Sequence, residues 1–261
     1  MPEWIALSRH EHRKLHFLPR AGYAFAGGHH LVPVVMAELG KLLPHYTLSF
    51  ILQKERYLPV ALLGLAESHN LYLHPDGRWL GDYVPAELRG YPFAMGRSGD
   101  GGERVLCIDR HALLNPQEGG LALFNDEGEL TQAPTQTLDF LQHCERSRQQ
   151  ALAAAAALAK YELLTPWSIE IASGGAAPFR LDGLYRVDEK ALNALSAERL
   201  AHLRGNGALA LAYAQLFSIH QLEQLKRRAR FLAERDASGG EGPLDDIDVD
   251  DDGELTFDFD N

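Results

Sequence analysis

The sequence predicts an α+β protein, in which a strand-rich N-terminal half packs with a helix-rich C-terminal half and a disordered acidic tail follows. Three observations carry this expectation. Short apolar runs bounded by Pro, Gly, Asn and Asp dominate up to residue 133. A long helical pattern begins near Pro134, and from Ala237 onward Gly, Ser and Asp replace the apolar residues. With 261 residues the chain can bury a sizeable core without disulfide or metal staples. We read one domain over 1–235, with possible subdomains 1–133 and 134–235, and a tail over 236–261.

The elements follow in order. Pro33 can open a helix through about Leu43. Tyr46 to Leu52 and Val60 to Leu65 read as strands, the second apolar enough to be buried on both faces. Asn70 to His74 is a short strand, and His74-Pro75-Asp76-Gly77 places Pro and Gly where a tight turn needs them, so a hairpin to Trp79 is expected. Pro85 to Arg89 fits one helical turn, Tyr91 to Met95 is extended, 96–102 is a Gly-rich loop and Arg104 to Asp109 is a strand. Asn125-Asp126-Glu127-Gly128 signals a second hairpin. A long helix is expected from about Thr135 to Leu163, its Ala-rich stretch at 151–159 favouring helix and close approach. Strands at Trp167 to Ala172 and Phe179 to Val187 flank a Gly-rich turn. Asp188 and Ser196 can cap two short helices, the second stopping at Gly205, and a last helix is expected from about Ala208 to Glu234.

The formal charge is −11, and it is uneven. Of the 36 acidic residues eleven lie after Arg235, so the remaining 25 balance the 25 Lys and Arg of the body. A neutral body exerts little long-range pull on nucleic acid or anionic lipid, and an acidic tail repels both. No basic region followed by an apolar stretch opens the chain, and no apolar run approaches the roughly 20 residues that span a bilayer. The expectation is a cytoplasmic, soluble protein without membrane insertion. Cys107 and Cys144 lie in apolar surroundings and read as buried free thiols.

Candidate sites are few. The stretch from Asn70 to Phe93 gathers rings and guanidinium groups, and Trp79, Tyr83, Arg89, Tyr91 and Phe93 are its candidate binding residues. Aromatic faces beside an Arg fork suit a peptide, a carboxylate or a carbohydrate. They suit an internally satisfied core equally well. His12 and His16 would share a face on one helix and could offer two imidazoles to a metal, but His12-Arg13-Lys14-Leu15-His16 lacks the Glu of a zincin. Lys226, Arg227, Arg228 and Arg230 form a basic run near a helix end, where cations are favourable. Asp248, Asp250, Asp252 and Gly253 match the start of a calcium loop, yet Phe259 stands where its bidentate Glu belongs. No nucleophile elbow, phosphate loop or dinucleotide Gly pattern is present, and no cofactor is expected.

Several segments together resemble the SapC family of bacterial proteins. They are Leu62-Leu63-Gly64-Leu65 with Asn70-Leu71, Gly77-Arg78-Trp79, Tyr83-Val84-Pro85-Ala86 and Arg89-Gly90-Tyr91-Pro92-Phe93. Further on come Cys107-Ile108-Asp109, the run from Leu123 to Glu129, Val187-Asp188-Glu189-Lys190, and Gly207-Ala208-Leu209 leading to Tyr213, Ala214 and Ser218. The series spans roughly residues 8–230. Gly90 stands where the pattern leads one to expect a second Arg, which speaks against a paired-Arg anion site. The resemblance implies a bacterial surface-layer or export-related process and attaches no reaction to the fold. The expectation is a non-catalytic binding or accessory protein with a protein or peptide partner. The alternative is a metal-dependent enzyme using His12 and His16.

Overall fold

The computed structural model describes residues 2–97, 102–171 and 179–237. The acidic tail beyond Ala237 with its calcium-like motif, most of the Gly-rich loop at 96–102 and the Gly-rich turn before Phe179 lie outside the described residues. The chain is α+β, with strands concentrated in the first half and helices in the second. In order it forms β1 (Trp4–Ala6), α1 (Arg9–His12), β2 (His16–Phe17), β3 (Leu31–Pro33), α2 (Leu39–Leu42), β4 (Leu48–Gln53), β5 (Arg56–Leu62), α3 (Ala86–Arg89), β6 (Phe93–Arg97) and β7 (Arg104–Asp109). Then follow β8 (Leu113–Leu114), β9 (Leu121–Ala122), α4 (Gln132–Lys160), β10 (Leu164–Ile171), β11 (Phe179–Val187), α5 (Glu189–Asn193), α6 (Ala197–Gly205), α7 (Ala208–Ser218) and α8 (Gln221–Ala237).

The strands make three antiparallel sheets, in the orders β10-β11-β4-β5-β3, β1-β7-β6 and β8-β2-β9. The β4–β5 hairpin closes on Lys54 and Glu55, whose φ of 47° and 60° supply the two left-handed residues of a two-residue hairpin turn. The five-stranded sheet and helices α4, α6, α7 and α8 enclose the main core around Tyr46, Phe50, Leu62, Leu158, Leu203 and Leu211. A smaller core collects Phe17, Phe93, Leu106, Ile108 and Leu123 on one face of the β1-β7-β6 sheet.

Helix α4 joins the two cores. Its 29 residues span about 43 Å at 1.5 Å per residue. Leu138 and Leu141 pack on the small core, whereas Ala154, Ala155 and Leu158 pack in the large one. Between them, Ser147 Oγ accepts a hydrogen bond from the Ala37 N–H at 2.8 Å. At Gly90 a Cβ would come within 2.6 Å of Leu141 Cδ2, so α4 packs closely on this position.

Two expected elements change form. The helix expected from Pro33 becomes β3, a 3-10 turn at Met36–Glu38 and the single turn of α2. Pro33 pairs with Val60, and the Val34 N–H donates to Pro59 O at 3.0 Å, so the sheet captures the segment. The last helix divides into α7 and α8. Ser218 Oγ accepts from the Leu48 N–H, and Gln215 Oε1 accepts from the Val187 N–H. These bonds fix the end of α7 against β4 and β11, and a new direction lets Leu222 and Leu225 of α8 enter the core. The expected Leu73–Trp79 hairpin survives as one isolated bridge. Among the described residues no helix is long and apolar enough to cross a membrane.

Candidate functional site

The aromatic stretch is split between interior and surface. Trp79 stacks on Tyr72 at 5.9 Å and meets Tyr23 edge-on, while its Nε1–H donates to Tyr46 Oη at 3.1 Å. Tyr46 and Tyr72 are buried in the main core, and burial pushes Tyr72 up to about 12. The Arg228 guanidinium of the basic run lies 4.7 Å over the Tyr72 ring. Trp79 is thus part of the packing around the main core.

Tyr83 and Arg89 also face inward, around Glu38. Glu38 is 2% exposed and accepts from the Ala86 N–H at 2.7 Å, the Tyr83 O–H at 3.1 Å and the Val35 N–H at 3.3 Å. Burial raises its carboxyl above the ordinary range despite these bonds and the nearby Arg89 charge. Arg89 donates to Tyr83 Oη at 3.1 Å and lies over the Tyr83 and Phe140 rings at 5.3 and 5.0 Å. This cluster links the segment preceding α2 to α3 and α4. Phe93 is buried against Phe17, ring centroids 5.0 Å apart, and belongs to the small core.

Tyr91 is placed differently. Its ring stacks on Phe25 at 3.9 Å with planes 8° apart, and Trp4 approaches edge-on at 6.4 Å. Its O–H donates to Asp109 Oδ2 at 2.8 Å; burial, and after it this bond to a carboxylate, raises the Tyr91 hydroxyl to about 12. The Tyr91–Pro92 bond is cis.

Strand alternation defines a cleft beside Tyr91. Opposed residues of the β1-β7-β6 sheet share a face. Ile5, Phe93, Met95, Leu106 and Ile108 therefore face the small core, and Trp4, Ala94, Gly96, Cys107 and Asp109 face away. A cleft of about 490 Å³, within the size range of ligand sites, is lined from both faces at this edge of the sheet: Trp4, Ala94, Gly96 and Cys107 from the second, Phe93, Met95 and Arg104 from the first. Its floor is small: a Cβ on Gly96 would come within 2.5 Å of Cys107 Sγ. One side carries Trp4, Phe25 and Tyr91, and another carries a ladder of charges. In that ladder Arg104 pairs with Glu145, and Arg148 pairs with both Glu145 and Glu87, tying β7, α4 and α3 together.

Both cysteines, free and buried, line this cleft. Burial raises both thiols, Cys144 to about 11. Burial thus works against thiolate formation at both sulfurs. The rings, small floor and paired charges of the cleft suit noncovalent recognition.

The two candidate metal-binding histidines do not share a helix. His12 ends α1 and is buried, its Nδ1 accepting from the Ser8 N–H at 2.9 Å, while His16 sits in β2 with Nδ1 2.9 Å from Gly119 O. Among the described residues no group of three or more His, Cys, Asp or Glu is placed to hold a metal ion.

Sequence reading missed Trp4, Phe25, Glu38, Glu145 and Arg148, because tertiary contacts alone bring them to Tyr91 and α3. Asp109 was within reach, since Cys107-Ile108-Asp109 is one of the segments that carry the family resemblance.

The SapC family model matches residues 7–225. The chain therefore belongs to the SapC family. No curated protein and no solved structure matches it.

Proposed function

We propose that this SapC-family chain is a binding or accessory protein that recognises a segment of a protein partner through the cleft beside Tyr91, at its three-stranded sheet. The open cleft itself carries the reading: aromatic rings border a floor of small residues, with paired charges on another side. Aromatic anchors supply most of the energy in such surfaces, and rim charges select and orient. Following the expectation attached to the family, we place the partner in a surface-layer or export process. The site is proposed to be cytoplasmic.

Tyr91 is the residue of the sequence-derived set that the cleft uses through an open ring, and Trp4 and Phe25 join it. Trp79, Tyr83 and Arg89 support the fold nearby. Affinity capture from cells that make the protein tests the reading. Trp4→Ala and Tyr91→Ala, each with an unchanged circular dichroism spectrum, are expected to lose one same protein partner that the unaltered chain retains. Retention of that partner by both variants refutes the assignment.

A further inference from the structure

The cleft has a neighbour. Phe25 and Tyr91 line it and also line a second cleft of about 320 Å³. The stacked ring pair is thus a ridge between two recesses. The second recess has polar groups of its own, Arg20, Asp76 and His111.

Asp109 prepares that imidazole. It is 3% exposed and accepts from the Tyr91 O–H at 2.8 Å, the Glu3 N–H at 3.0 Å and the His111 N–H at 3.2 Å. Its Oδ1 also stands 3.0 Å from His111 Nδ1. Burial alone would raise the Asp109 carboxyl, but the hydrogen bonds outweigh it and hold the group below the usual range. Asp109 is therefore ionised, an acceptor only. The Asp109 carboxylate takes the Nδ1 side of the His111 ring, and in the imidazole tautomer with its proton on Nδ1 the other nitrogen, Nε2, is an acceptor. The side chain is 68% exposed, so this acceptor is open to an incoming group.

Spacing selects the class of occupant. An extended chain places side chains on the same side roughly 7 Å apart, with backbone amides between them. A ring pair with centroids 3.9 Å apart, widened by its own van der Waals thickness, forms a ridge of comparable width. We propose that the partner's segment lies extended across the Phe25–Tyr91 pair, with one side chain in each cleft and a backbone N–H donated to His111 Nε2. The inference rests on the reading of the first cleft as the binding surface, and it adds the second recess and a fixed acceptor.

The test is nuclear magnetic resonance of the full chain, following the Trp4 indole and the His111 imidazole. The probes are a panel of N-acetylated tripeptide amides with an apolar first and third residue, and methyl glucoside. At least one tripeptide is expected to move both resonances with a single midpoint. His111→Gln is expected to weaken that midpoint by about fivefold to tenfold, as for loss of one hydrogen bond of about 1 kcal/mol, with the Trp4 response retained. A Trp4 response that saturates while His111 stays still overturns the spanning geometry and leaves the first cleft standing. Silence of both resonances throughout the panel overturns both. A His111 response to methyl glucoside alone overturns the peptide in favour of a sugar.

Discussion

Two buried carboxylates show how differently the two regions of this molecule use the same chemistry. Glu38 and Asp109 each accept three or more hydrogen bonds, and each receives one from a tyrosine of the same aromatic stretch. At Glu38, between the two cores, burial wins and the carboxyl is raised. At Asp109, at the end of the three-stranded sheet, the hydrogen bonds win and it is lowered. The difference is one of access. Around Glu38 the Ala86 and Val35 N–H groups and the Tyr83 O–H are spent on the carboxylate, and the Arg89 guanidinium is packed over the Tyr83 and Phe140 rings. Around Asp109, Tyr91 and His111 each present a free side to a cleft. Similar residues thus hold the fold together in one place and remain open to a ligand in the other.

Substitutions that divide stability from binding sharpen this contrast, and the largest effect belongs to the interior. Trp79→Ala is expected to lower unfolding free energy by about 3 kcal/mol, through lost packing and the broken bond to Tyr46, measured by urea denaturation. Glu38→Ala follows at about 2 to 3 kcal/mol, because the Ala86 and Val35 N–H groups lose their acceptor in a buried place. A value under about 0.5 kcal/mol for either, the range of ordinary surface substitutions, would break the distinction. Tyr91→Phe is expected to cost only about 1 kcal/mol, one hydrogen bond from a partly open residue, and to leave partner capture in place.

The smallest effect is in pH dependence, where the two carboxylates have opposite signs. Glu38 has a folded pKa raised above its model value of 4.5, so its favourable contribution is full below that value and is lost as pH rises through the folded pKa. Asp109 has a folded pKa below its model value of 3.8, so its contribution is present above that value and is lost as pH falls through the folded pKa. Denaturation from pH 7 downward checks both: Glu38→Gln removes a gain on acidification towards pH 4.5, and Asp109→Asn removes a loss below pH 3.8. Curves unchanged by either variant would contradict the assignment.

Local signals made much of the fold legible. Arg104–Asp109 emerges as the strand its sequence predicts, α4 lies within three residues of its expected ends, and Asp188 and Ser196 cap their helices as their side chains allow. Where tertiary demand opposed local pattern, the pattern lost. Pro33 had the chemistry of a helix start, but β5 offered it a partner; the sequence from Ala208 to Glu234 read as one helix, but Ser218 and Gln215 bind the sheet. The site was less legible. A window from Asn70 to Phe93 rich in rings cannot reveal that Trp79 stacks inward on Tyr72 while Tyr91 stacks at a cleft. That choice depends on Phe25 and Trp4, which approach from the N-terminal segment. The tail lies beyond the described residues, so its expected behaviour has no structural counterpart.

Site-specific photo-crosslinking reads the difference between the two regions most directly. A photoreactive side chain would replace Glu87, at the edge of the cleft, or Gln224, exposed on α8, in cells that make the protein. Binding through the cleft predicts a discrete protein adduct from position 87 that disappears with Tyr91→Ala, and none from position 224. An adduct from position 224 with none from position 87, or one from position 87 indifferent to Tyr91→Ala, would contradict it.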